Sequence, residues 1–132
     1  MAECYPAPNV EIGRAPRKVR RKDDDLLLER LCRDARAIAG PFDLRFRTIR
    51  RTRSDARLYG SCDTEGHIRL RLRSRRTGDF LSYSSLVATV CHELAHLRHF
   101  DHGEEFRRLY RRLLDSARVL GLYRPAAAAT RA

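Results

Sequence analysis

The fold class predicted for this chain is α+β, with a small antiparallel or mixed sheet of about three strands packed on a histidine-bearing helix and its flanking helices. Three observations predict it. Apolar residues recur at helical spacing in three segments, the stretch between the first two falls to a period of two, and 132 residues allow one modest core but not two.

Residues 1–22 contain Pro6, Pro8 and Pro16 and end in the basic run RKVRRK, a composition expected of a flexible arm. From Asp23 the pattern changes. Asp23, Asp24 and Asp25 offer an N-cap and favourable first-turn charge, and Leu27, Leu28, Leu31, Ala35 and Ile38 then share one helix face until Gly40-Pro41 stops it. Alternation follows in DLRFRT and, more clearly, in HIRLRLR, where Ile68, Leu70 and Leu72 face one way and Arg69, Arg71 and Arg73 the other. The intervening YGSCDTEG reads as a short middle strand and a hairpin turn. A second helix is predicted from about Ser82 to His99 and a third from about Gly103 to Val119, before Gly121. In the third, Phe106, Leu109, Tyr110, Leu113, Leu114 and Ala117 make one apolar stripe. The domain expected is therefore 23–122, with residues 123–132 a disordered tail.

The formal charge is +11, and all but two of the basic residues (Lys18 and Lys22) are arginine. Eleven arginines face three acids between Arg45 and Arg76, so the sheet is expected to present a cationic face to solvent. Arginine pairs with phosphate through a planar fork, so nucleic acid is a partner to consider, through this sheet and the N-terminal arm; base composition of the coding sequence explains the same bias without a ligand. Cys4, Cys32, Cys62 and Cys91 have neither CxxC spacing nor a disulfide framework, which suits reduced thiols in the cytoplasm. No leader or membrane-spanning run is evident, and a monomer is expected.

Chemistry concentrates in VCHELAHLRHFDHGEEF, residues 90–106. On a helix Leu86, Val87, Val90, Cys91, Leu94 and Leu97 fall together, opposite Ser85, Thr89, His92 and His96. His92 and His96 lie one turn apart, a spacing that lets two imidazoles share one zinc ion, whereas Cys91 points away. Glu93 falls between them in the general-base position of HExxH. Its carboxylate would take a proton from zinc-bound water as that water attacks a carbonyl, and pass it to the departing amine. A catalytic zinc needs a third protein ligand, for which His99, His102, Glu104 and Glu105 are candidates. His99 lies too far along the helix from His92. His102 is preferred: Asp101 and Glu104 have capping-box spacing, which places His102 in the first turn of the third helix, able to swing back. His99 and His67 are expected at the surface or behind the ligands. Tyr59, Tyr83 and Tyr110 could donate to a developing oxyanion; none is assigned, and Tyr83 is the foremost of the three.

With these residues placed, HELAHLRHFDHGEEF resembles the minimal HExxH zinc metallopeptidases, the YgjP-like, WLM and SprT-like families. YGSC with HIRLRLR is similar to the segment preceding the motif in YgjP-like proteins, and FLSYSSLVATVCHELAH to the lead-in of WLM domains. Arg107 stands where YgjP-like proteins usually carry tryptophan, and Gly103 is more like SprT. The resemblance covers about residues 56–115. It implies a strand-containing α+β domain, one zinc ion on His92, His96 and His102, Glu93 as acid and base, and, from WLM and SprT relatives, action on proteins crosslinked to DNA. The reading is a zinc metalloendopeptidase, with a substrate strand added along the strand ending near Arg73. The alternative is a nucleic-acid-binding module whose zinc is structural; a metal hydrolase of non-peptide amides is a third.

Overall fold

The computed structural model describes residues 17–52 and 59–125, the side chains of 17–21 excepted. Residues 1–16 of the expected arm and 126–132 of the expected tail lie outside the described residues. The elements run α1 (Arg17–Ala39), β1 (Thr48–Arg51), β2 (Gly60–Cys62), β3 (His67–Leu70), α2 (Tyr83–His96) and α3 (Glu104–Val119). Strand order is β1-β3-β2, with β1 parallel and β2 antiparallel to β3, so the sheet is mixed. The helices cover one face: α1 lies against β1, α2 against β2 and β3, and α3 packs on α2 and touches α1. The core forms where Leu31 and Ile38 of α1, Ile68 and Leu70 of β3, Leu86, Val90 and Leu94 of α2 and Leu113 of α3 meet, each side chain all but withdrawn from water.

Four sequence expectations need correction. Helix α1 begins at Arg17, not at Asp23, so the aspartates are not its cap. Asp24 lies well inside the helix, only 5% exposed, and bonds Arg51 at 3.0 Å and Arg73 at 2.7 Å. The charge is buried because two guanidinium groups meet it, which ties α1 to the end of β1 and to the chain beyond β3. Consequently the arginine face is smaller than the alternation suggests: Arg51 and Arg73 belong to Asp24, Arg73 also lies over the Phe80 ring, and Arg71 is buried. Second, most of DLRFRT is not a strand. Leu44 and Phe46 are buried, but ladder pairing starts at Thr48, since β1 is held by β3 only from His67 onward. Gly66 enforces this start: it adopts φ +91°, accepts the Arg47 amide, and a Cβ there would sit 3.1 Å from that same nitrogen. Third, the strand leading toward Arg73 cannot accept an added strand along β3, which is paired on both sides. The edge beside α2 is β2.

The fourth concerns the turn after α2. Ser82 caps α2 by accepting the Ser85 amide, and the helix closes at His96, with Leu97 as C-cap, three residues short of His99. Helix α3 then starts at Glu104 with Gly103 as its N-cap, so Asp101 and Glu104 form no capping box. The Asp101 carboxylate instead accepts the amide two residues on, at Gly103. Such local side-chain-to-backbone bonding competes with capping. His102 therefore stands in the connection, one residue outside the N-cap. The third helix otherwise follows its stripe, with Phe106, Leu109, Leu113 and Ala117 buried.

Candidate metal centre

Two arcs separate cleanly on α2. Leu86, Val87, Val90, Cys91 and Leu94 are buried in the core, while Ser85, Thr89, His92 and His96 are partly open. The imidazoles of His92 and His96 project side by side with ring centroids 4.8 Å apart. His102 comes to them from the α2–α3 connection. Its Nε2 lies 3.0 Å from Nε2 of His96 and 3.3 Å from Nε2 of His92. The donor atoms of the three residues all fall within 4.8 Å of one another. Ligands at about 2.0–2.1 Å from a tetrahedral centre are separated by about 3.3 Å, so this spacing suits one small divalent ion.

Hydrogen bonding within the cluster points the same way. His96 Nδ1 donates to the carbonyl of His99 at 2.9 Å, which leaves its Nε2 with a lone pair directed at the other two rings. Burial, together with the charge of His96 and His102, holds His92 below the usual histidine range, which disfavours a proton on its ring. Ring nitrogens this close need a proton or a cation among them, and a metal ion satisfies all three at once. The donor set therefore fits a metal such as zinc. Phe106 closes the floor: its ring stacks on His96 at 4.4 Å and meets the edges of His92 and His102 at 4.9 and 5.0 Å. Tyr110 stacks behind Phe106.

The remaining candidates are dispersed. The backbone carbonyl of His99, not its ring, serves the cluster. Glu104 and Glu105 are exposed and pair with Arg108. His67 is bonded to Asp63 at the β2–β3 turn. Cys91 is fully buried, and burial pushes its thiol up to about 12. The Tyr83 hydroxyl donates to Asp34 of α1, with Arg30 stacked on its ring at 3.7 Å, so it joins two helices and does not point at the histidines. Tyr59 is exposed.

Glu93 is 5% exposed, and burial lifts its carboxyl above the ordinary glutamate range, an effect that His96 partly offsets. Its position depends on a residue that periodicity does not single out. At Gly60 the edge strand passes so near α2 that a Cβ would stand 2.8 Å from Cγ2 of Thr89 and 3.0 Å from Oε2 of Glu93. Cys62, two residues along the same face, is pushed up to about 11 by burial first and by the charge of Glu93 next. Only the quoted YGSC hinted at this approach; neither it nor the His99 carbonyl follows from residue spacing.

A family model, that of the WLM domain, matches residues 14–125. Over 74 residues the chain is 39% identical to DNA-dependent metalloprotease WSS1 homolog 2 of Schizosaccharomyces pombe, an alignment covering 53% of this chain and 26% of that protein. It is 35% identical over 56 residues to the uncharacterized protein 136R of Invertebrate iridescent virus 6, covering 39% and 32%. The chain thus spans about a quarter to a third of the length of these relatives. Among solved structures, Wss1 of Saccharomyces cerevisiae superposes with a TM-score of 0.67 at 23% identity, covering 76% of this chain and 81% of that one, a likeness of fold. Wss1 of S. pombe gives 0.59 at 29% identity, covering 82% and 86%.

Proposed function

The chain belongs to the WLM domain family, and from that premise we propose that it is a zinc-dependent metallopeptidase, with His92, His96 and His102 holding the ion and Glu93 moving the proton. The observation that carries this reading is the meeting of three imidazole nitrogens at a helix whose Glu93 carboxylate is held under an edge strand. Zinc bound there would supply a Lewis acid that polarises the scissile carbonyl and makes water more acidic. The residues supply the rest. Glu93, with raised proton affinity, accepts a proton from the attacking water and returns it to the departing amine. The His99 carbonyl engages Nδ1 of His96, which leaves Nε2 to face the ion, and burial lowers the proton affinity of His92.

The substrate is an extended polypeptide laid on β2. Tyr59 and Ser61 face β3, with Tyr59 accepting the Arg71 amide and Ser61 opposite Arg69. Ladder alternation then turns the N–H and C=O groups of Gly60 and Cys62 outward, beside Glu93. Backbone pairing of this kind reads few side chains, so selection rests on access or recruitment. The relative named as DNA-dependent, and the exposed Arg45, Arg47, Arg50, Arg75 and Arg76, support substrates that are DNA-associated proteins. The working unit is taken as residues 23–122 with the preceding turns of α1. Among the described residues no helix is long and apolar enough to cross a membrane.

The decisive experiment incubates the zinc-loaded protein and its Glu93→Gln variant with basic DNA-binding proteins, with and without DNA. Zinc content is expected to be unchanged and cleavage lost. Equal proteolysis by the variant would refute the role of Glu93. Salt-dependent DNA binding with no hydrolysis by either form would favour the alternative, a binding module with a structural zinc. His102→Ala is expected to lose stoichiometric zinc and His99→Ala to keep it, because only the backbone of His99 is used.

A further inference from the structure

Two of the three donors stand on a regular helix, which fixes their backbone. The third does not. His102 lies in a connection outside both α2 and α3, and its side chain is exposed. A flexible donor weakens a metal site, because its ordering must be paid for when the ion binds. Something must therefore hold His102 beforehand. Phe106 bears on its ring, edge to face, but a ring contact does not set the backbone from which the imidazole hangs.

Asp101 does. Its Oδ1 accepts the Gly103 amide at 3.0 Å, closing a side-chain-to-backbone ring directly across His102. Gly103 is matched to this closure: a Cβ there would come within 3.2 Å of the same carboxylate oxygen. We propose that Asp101 is a positioning residue for His102, and that its carboxylate, bonded to the Gly103 amide, assembles the third donor before any ion arrives. The proposal rests on the metal-centre reading above. It assigns Asp101 a task different from helix capping and separate from contact with the ion. The acceptor geometry matters more than the charge, so asparagine, whose Oδ1 can accept the same bond, should serve.

The test is zinc affinity measured by competition with a chromogenic chelator on the full chain, for wild type, Asp101→Ala, Asp101→Asn, His102→Ala and the double variant Asp101→Ala/His102→Ala. Asp101→Ala is expected to weaken binding about tenfold, the lower end of what partners of metal ligands contribute, with the melting temperature of the zinc-free protein unchanged. Asp101→Asn should bind close to wild type. In the His102→Ala background, removing the carboxylate should change affinity no further. Equal affinity of wild type and Asp101→Ala, a full loss in Asp101→Asn, or an undiminished effect without His102 each overturns the positioning role while leaving the metal centre intact. A wild type that takes up no zinc overturns the metal centre, and this proposal with it.

Discussion

Adding one methyl group at Gly60 tests the packing that places Glu93. A Cβ at this position would lie 2.8 Å from Thr89 Cγ2, 3.0 Å from Glu93 Oε2 and 3.3 Å from the Arg69 carbonyl oxygen. Carbon atoms settle at about 3.5–4.0 Å, so β2 and α2 must separate by several tenths of an ångström or the side chains must turn. Thr89 has little freedom, because its hydroxyl donates to the Ser85 carbonyl at 3.1 Å. Overpacking of this size costs about 1–3 kcal/mol. In a domain of about 100 residues each kcal/mol lowers the melting temperature by about 4–8 °C. Urea and thermal unfolding of Gly60→Ala should show this loss. Thr89→Ser removes Cγ2 while keeping a hydroxyl, so Gly60→Ala/Thr89→Ser should regain most of the stability. Cleavage should not recover in the double variant, because the methyl still crowds the Glu93 carboxylate. A Gly60→Ala protein as stable as wild type would refute the close approach. Recovery of cleavage together with stability would show that Gly60 affects Glu93 only through Thr89.

Three other outcomes follow from the same contacts. Asp24→Ala leaves two partly buried guanidinium groups without their carboxylate and should cost about 3–5 kcal/mol in chemical denaturation; a loss below about 1 kcal/mol would mean that solvent replaces it. Tyr83→Phe deprives the buried Asp34 of a donor and should cost about 1–3 kcal/mol of stability without altering the catalytic rate, whereas a rate loss in a fully folded variant would return Tyr83 to the site. Burial raises the thiols of Cys62 and Cys91 to about 11 and about 12, so at pH 8 only about one in 10³ and one in 10⁴ are thiolate. Iodoacetamide should therefore label both far more slowly in the native than in the unfolded chain. The native state also keeps thiol protons that the unfolded chain releases from about pH 9, so stability is full below that pH and falls as pH rises from 9 to about 12. Native Cys91 labelling at the unfolded rate, or a flat stability profile across that window, would contradict this.

The helices and their inward faces were legible because burial demands periodicity. The stripe from Phe106 to Ala117 and the apolar arc of α2 need only helical geometry to be read, and the structure buries most of these residues, with Leu97, Tyr110 and Leu114 partly covered. Helix boundaries were less legible. Asp23 to Asp25 look like a cap, yet Asp24 is drawn into the protein by Arg51 and Arg73, which are 27 and 49 residues away. Arg71 and Arg73 likewise look solvated in HIRLRLR, but one is buried and the other is held by that same aspartate.

Helical spacing alone places His92 and His96 on one face of α2 with Glu93 about 100° round from His92, because these relations are properties of a single helix. What lies across from that face follows from packing. The approach of His102, the His99 carbonyl on His96, and the passage of Gly60 over Glu93 all depend on where a turn or a strand from elsewhere in the chain comes to rest. Such contacts arise from packing between elements, and backbone carbonyls and missing side chains leave no periodic trace.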